Sequence, residues 1–313
     1  MNKPVKRITA TLLGAICVMG MAACGGQHTC QPSGVWSSDK TGHWHACTGA
    51  DCDEKLDFGA HSYTKYGNSQ CECGHFDTTK ATSAEILGAY YDAPDGSVVS
   101  GRYFTDTVLI FPETFDDGNM EHDITVVNAE AFYENTTLQA VGLSEKIYML
   151  EDSAFEGCTA LETVYFPVAD FLGSKALASV GNGAFAGCTS LTKLYFGDEK
   201  CTWYIGNSAF IGCGFVSLTL PTGTKEIGDF AFEGCQQLQT ITIPAGIEYI
   251  GMYAFDKCPA LRTVNFGGTK AQFEEFLGDS NEVGIDDPAD WLFLDKDQRE
   301  PITVNCSDGS MTL

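Results

Sequence analysis

The chain has 313 residues, 44% of them hydrophobic, and carries 42 acidic against 18 basic side chains, a formal charge of −24. That balance argues against a nucleic-acid partner and against direct docking on anionic lipid, since both surfaces repel a polyanion. It suits a soluble body that stands off a membrane.

Residues 1–23 read as a targeting segment outside the fold. Lys3, Lys6 and Arg7 form a basic n-region, and Ile8 to Met21 form an apolar stretch shorter than the ~20 residues that a membrane-spanning helix needs. The run ends in Met21-Ala22-Ala23-Cys24-Gly25, which resembles a bacterial lipobox and would make Cys24 the lipidated N-terminus. An ordinary cleaved secretory signal is the other reading. Loss of the segment leaves 15 basic against 42 acidic residues, a formal charge of −27. The expected location is the bacterial cell envelope, membrane-anchored through lipid alone and surface-exposed. Gly25-Gly26-Gln27 carries no sorting information between outward and periplasmic placement.

Residues 24–77 form a Cys/His-rich module. Cys30, Cys47, Cys52, Cys71 and Cys73 crowd it, together with five of the six histidines. His45, Cys47 and Cys52, then Cys71, Cys73 and His75, set thiolates and imidazoles in two close groups, a soft donor set that suits structural zinc. A module this short and polar would need such a staple. The spacings depart from a C-x₂-C finger, and disulfides are an equal rival in an exported protein, although five cysteines would leave one unpaired. Both readings stay open.

Residues 78–137 read as a linker and a degenerate first repeat, and residues 138–266 as the repeats proper. Ala-Phe followed by Cys or Asn recurs as Ala131-Phe132 with Asn135, Ala154-Phe155 with Cys158, Ala184-Phe185 with Cys188, Ala209-Phe210 with Cys213, Ala231-Phe232 with Cys235 and Ala254-Phe255 with Cys258. The intervals are 23, 30, 25, 22 and 23 residues. A fixed period in this range marks a solenoid, in which each coil buries its apolar side against its neighbours. In the cleanest unit, Leu238, Ile241 and Ile243 alternate along a short strand closed by Pro244. Ile247 and Ile250 follow, then Gly251, read as a turn glycine with positive φ. The 30-residue unit carries an insertion around Val168 to Lys175. Asp116-Asp117-Gly118-Asn119 with Glu121 and Asp123 departs from EF-hand spacing and reads as a solvated acidic loop. Residues 267–313, with Phe273, Phe276, Leu277 and Trp291, read as a C-terminal cap.

From about residue 105 to 306 the pattern resembles the BspA-type leucine-rich repeat of bacterial surface proteins. Gly267-Gly268-Thr269-Lys270-Ala271-Gln272-Phe273 and Ile302-Thr303-Val304-Asn305-Cys306-Ser307-Asp308-Gly309 resemble that family's closing segment. Trp36-Ser37-Ser38-Asp39 and His43-Trp44-His45-Ala46-Cys47 resemble small modules that precede repeats in gut bacterial surface proteins, with no chemistry attached. The expected fold is α/β and β-rich, a leucine-rich-repeat solenoid of about six coils with a 22–23-residue core period, behind the small N-terminal Cys/His-rich module. In such repeats a Cys or Asn occupies one buried turn position. The repeat cysteines are therefore expected to be reduced and interior, although coils ~4.8 Å apart would bring neighbouring thiols within reach of a disulfide.

Function should then lie in what varies between copies. Residues between the buried strand positions should point outward in two rows, Gly142, Tyr165, Tyr195, Thr219, Thr242 and Asn265 beside Ala140, Thr163, Lys193, Ser217, Thr240 and Thr263. This uncharged, hydroxyl-rich strip nominates Tyr165, Tyr195, Thr163, Lys193, Thr219 and Thr242 for partner binding, although Thr and Tyr also suit exposed strands in general. No G-x-S-x-G, H-E-x-x-H, P-loop or dinucleotide-binding glycine run is present, and His122 is the one histidine outside the module, so no enzyme activity is expected. The resemblance implies a lipid-anchored surface protein that binds a protein partner or mediates adhesion. A glycan-binding accessory protein and a structural envelope protein without a dedicated ligand are the alternatives.

Overall fold

A computed structural model describes the chain over residues 104–116, 120–167, 178–197, 202–277 and 300–313, with shorter stretches elsewhere. Upstream, the strands Pro32–Asp39, Gly42–Cys47 and Lys55–Gly59 pair as an antiparallel sheet. The rest is a solenoid in which successive coils contribute strands to two faces.

The first face is the short alternating strand of each repeat. Val108–Ile110, Ala140–Gly142, Thr163–Phe166 and Lys193–Phe196 pair in parallel as one sheet. Ser217–Thr219, Thr240–Ile243, Thr263–Phe266 and Thr303–Cys306 form a second sheet, closed by the antiparallel strand Gly309–Thr312. The ladder breaks between Phe196 and Ser217, in the coil whose turn is a residue short. Cys158, Cys188, Cys235 and Cys258 precede the first strand leucine by three residues, whereas Cys213 precedes Phe215 by two. Gly214 is drawn against the previous coil, where a Cβ would lie 2.4 Å from the Thr189 carbonyl oxygen.

The second face stays continuous. Gly96–Val99, Glu121–Val127, Met149–Leu150, Ala178–Val180, Trp203–Ile205, Thr224–Ile227 and Tyr249–Ile250 run parallel across the same coils. Gly251 departs from expectation in its reason. It has no positive φ, but a Cβ there would fall 2.4 Å from Asp229 N, so close approach of adjacent coils demands glycine. Gly181, Gly206 and Gly228 occupy the equivalent position for the same cause.

Between the faces runs a column of aromatic rings. Phe132, Phe155, Phe185, Phe210, Phe232 and Phe255 stack at centroid spacings of 4.9, 5.2, 5.4, 5.4 and 5.6 Å. Phe293 continues the stack at 5.7 Å, and Phe255 N donates to Leu292 O as Phe232 N donates to Ala254 O. Leu292-Phe293 thus fills the place of a further Ala-Phe pair that lacks the motif. At the other end Phe104 and Phe111 meet Phe132 edge-on, each at 6.0 Å. In the cap, Thr269 begins a short helix, Lys270–Glu274, through a capping box with Gln272. That helix buries Phe273, with Phe276 and Leu277 packed against the core. Trp291 lies outside the described residues.

Each Ala-Phe turn is made by two residues with positive φ. Glu130, Ser153, Gly183, Ser208, Phe230 and Tyr253 precede the alanines, and Glu134, Gly157, Gly187, Gly212, Gly234 and Lys257 precede the cysteines or asparagine. Non-glycine residues at these sites carry a backbone cost of roughly 1 kcal/mol each, which the buried Phe beside them offsets.

Candidate binding surfaces

The repeat cysteines are interior. Cys158, Cys188, Cys213, Cys235 and Cys258 are buried free thiols. Each donates Sγ to the carbonyl oxygen of a Phe in the preceding coil: Phe132, Phe155, Phe185, Phe210 and Phe232, at 3.1–3.3 Å. Asn135 does the same work at the first coil, its Nδ2 lying 2.7 Å from Phe104 O. The paired Asn and Cys therefore share one role, to satisfy a buried carbonyl between coils. Cys188 is pushed well above the usual thiol range, chiefly by its hydrogen-bonded neighbour Cys158 and by burial. Burial drives Cys213 upward, and the neighbouring Cys258 together with burial drives Cys235 upward. These thiols stay protonated and are poor nucleophiles.

The outward rows of the first face divide into two unlike halves, and this corrects the expected continuous exposed strip. In Thr163–Phe166 all four residues are buried. Val164 and Phe166 join the main core, while Tyr165, 3% exposed, packs with Ile110 and Ala140 in a separate cluster flanked by Val108 and Tyr195. Thr163 is 2% exposed. The upstream chain reaches this end of the face, where Thr82 N donates to Ile110 O at 2.8 Å. Tyr165 and Thr163 therefore do not belong to a free surface. Tyr195 is directly paired with Tyr165 in the ladder, as expected, but is itself half-buried.

Beyond the ladder break the face is open. Ser217 and Thr219 are exposed, and Thr240, Thr242, Thr263 and Asn265 half-buried, while Lys193, also exposed, lies before the break. The row continues through Thr303 and Asn305, which sequence reasoning left to the cap. Asn305 Nδ2 donates to Asn265 Oδ1 at 2.9 Å, and Ser310 Oγ donates to Asn305 Oδ1 at 2.9 Å. The rail from Ser217 to Asn305 bears hydroxyls and amides and no charge.

A groove of about 590 Å³ lies on the second face, which sequence reasoning did not nominate. The residues alternating with its core strand positions read Met149, Ser179, Tyr204, Glu226 and Tyr249 in ladder register. Along one side runs a rail made by the residue after each floor position. Asn182 N donates to Asp152 Oδ1 at 2.8 Å, Asn207 N to Asn182 Oδ1 at 2.9 Å, and Asp229 N to Asn207 Oδ1 at 2.9 Å. Met252 N then donates to Asp229 Oδ1 at 2.9 Å, which also receives the Tyr249 hydroxyl at 3.1 Å. Partial burial and then the Asp229 charge hold the Tyr249 phenol above its usual value. The signal for this rail was an Asp or Asn immediately after the glycine in three of the coils.

The remaining candidates are untouched by these contacts. His45 and Cys47 lie in the strand Gly42–Cys47, Cys71 is buried, and Cys52, Cys73 and His75 lie outside the described residues. Among the described residues no cluster of three or more His, Cys, Asp or Glu could hold a metal ion. Cys24 pairs through its backbone with His28. No helix among the described residues is long and apolar enough to cross a membrane.

The family model described as the BspA type leucine rich repeat region matches in six copies over residues 114–199 and 168–277, more than half of the chain. A leucine-rich repeat protein from T. pallidum is similar at 28% identity and a TM-score of 0.51, over 60% of this chain and 86% of that one. A leucine-rich repeat protein from Bacteroides ovatus matches at 23% identity and a TM-score of 0.45, over 56% of this chain; the match spans 44% of that protein's length. No curated protein matches the chain. With its repeated Ala-Phe turns, its buried Cys and Asn ladder and its matched repeats, the chain belongs to the BspA-type leucine-rich-repeat family.

Proposed function

We propose that this chain is a lipid-anchored bacterial envelope protein whose solenoid holds a protein partner, and that adhesion is its role. The observation that carries this reading is the open half of the first face, from Ser217 to Asn305. Its side chains stand on paired strands at a fixed spacing of roughly 4.8 Å, so little conformational freedom is lost when a partner docks. They offer hydrogen-bond donors and acceptors without charge, so the surrounding acidic surface sets long-range steering while this rail sets specificity. Leucine-rich repeats are in general a protein-binding scaffold, and this surface is the kind they present. The surface here is Thr219 and Thr242 with Asn265 and Asn305, and Lys193 and Tyr195 flank it across the ladder break.

Anchoring rests on Cys24, and it is separable from binding. In detergent phase partition the full chain enters the detergent phase, and Cys24→Ala moves it to the aqueous phase. Protease treatment of intact cells tests orientation, and complete protection would remove adhesion to other cells or host surfaces. For the binding face, the variant Thr219→Asp/Thr242→Asp is compared with the parent in capture of immobilised extracellular-matrix and bacterial surface proteins. Loss of capture at unchanged melting temperature supports the reading; equal capture by both would sink it.

A further inference from the structure

The groove on the second face is chemically unlike the rail of the first. Gly181, Gly206 and Gly228 line its floor, each packed so closely on the preceding coil that an added Cβ would clash with that coil's backbone. Two aromatic rings rise beside that floor. Tyr204 pairs with Glu226 and Glu226 with Tyr249, so the two tyrosines stand two ladder steps apart, about 10 Å. Tyr249 is 48% exposed. It is also oriented, because its hydroxyl is tied to Asp229.

The hydrogen-bonding inventory says what kind of ligand fits. The groove is bordered by four acids, and three of these carboxylates, Glu151, Asp152 and Asp229, already accept hydrogen bonds that serve the fold. Asp152 accepts from both the backbone and the side-chain nitrogen of Asn182, Asp229 accepts from Met252 N and Tyr249, and Glu151 accepts from Ala129 N. A polycation would find few free carboxylates there, and an anion would be repelled. The backbone of the floor is paired in the parallel ladder, so an extended peptide gains no main-chain bonds from it. What is left to a ligand is two tyrosine faces, the Asn207 amide and the Glu226 carboxylate. Rings at a regular spacing suit flat C–H surfaces, and the amide and carboxylate suit neighbouring hydroxyls.

We infer that this groove is a binding site for an uncharged carbohydrate chain, stacked on Tyr204 and Tyr249 and hydrogen-bonded through Asn207 and Glu226. The site is separate from the protein-binding rail, so the solenoid carries two ligands on two faces.

Native affinity electrophoresis of the full chain through gels containing dextran, galactomannan, xylan or soluble starch tests this. Retardation is expected in at least one gel, with the apparent affinity falling about tenfold or more in Tyr249→Ala, as for aromatic anchors generally. Glu226→Ala, at an exposed position, should weaken the same retardation, while Thr219→Asp/Thr242→Asp should leave it intact. Unaltered thermal melting of Tyr249→Ala separates lost binding from lost fold. Absence of retardation in all four gels, or retardation equal in parent and Tyr249→Ala, overturns the inference. Retention on poly-L-lysine that depends on Tyr249, without retention in the neutral gels, would make the groove a polycation site and equally overturn it.

Discussion

The Cys235 thiol donates to the carbonyl oxygen of Phe210, one coil earlier, at 3.3 Å. Neither group reaches water, so the contact closes a polar gap that repeats along the whole solenoid. Replacing Cys235 with Ala leaves that carbonyl unsatisfied and opens a small void. A loss of about 1–3 kcal/mol is expected from denaturant titration under reducing conditions. The same experiment on Thr159→Ala, an exposed neighbour of the Cys158 turn, should show a change within about 0.5 kcal/mol.

Phe232 is fully buried between the Phe210 and Phe255 rings, at 5.4 and 5.6 Å. Truncation to Ala removes a ring from the middle of the column, and the flanking coils cannot collapse without breaking their ladders. The expected cost is about 3–5 kcal/mol. Calorimetry of Phe232→Ala should show a lowered melting temperature; unchanged melting would contradict the stacked core.

Two glycines differ in why they are glycine. Gly234 has φ +70°, and a Cβ there would meet nothing nearer than Gly212 N at 3.9 Å. Gly234→Ala therefore carries backbone strain alone, about 1–2 kcal/mol. Gly251→Ala would drive a methyl to 2.4 Å from Asp229 N and force two coils apart. It should be the more damaging of the two in parallel urea titrations. Lys257, with φ +52°, should gain several tenths of a kcal/mol when replaced by Gly, reduced by loss of its ion pair with Glu233.

The thiols of Cys188, Cys213 and Cys235 have raised values in the folded chain. In the unfolded chain they ionise near the ordinary thiol value of about 8.5. Above that pH the folded state holds protons that the unfolded state has released, so stability is full below it and falls as pH rises. Each thiol contributes a slope of at most about 1.4 kcal/mol per pH unit. Urea midpoints with a non-thiol reductant should decline between pH 8.5 and 10.5, and the decline should be shallower in Cys213→Ala. Native protein at pH 8 should not react at these three positions with a thiol-specific reagent, while Cys306, partly exposed, should.

Periodicity alone determined the solenoid, the interior place of the Phe and Cys residues, and the equivalence of Asn135 with the cysteines. The physical reason is that every coil meets the same kind of neighbour, so a pattern repeated in sequence is a contact repeated in space. Gly251 was legible as a special position but not for its true cause, because close approach depends on the coil beside it. Leu292-Phe293 escaped detection since stacking requires the ring and not the Ala-Phe motif. The fate of the outward rows belonged to the tertiary structure. Alternation placed Tyr165 and Thr219 in the same kind of row, yet Tyr165 is covered and Thr219 is open. Tyr165 is covered by side chains of its neighbouring strands, and the break between the two halves falls beside the short turn at Gly214. The groove bearing Tyr204 and Tyr249 likewise existed only once the coils were stacked, since its lining runs across them from Ala129 to Tyr249.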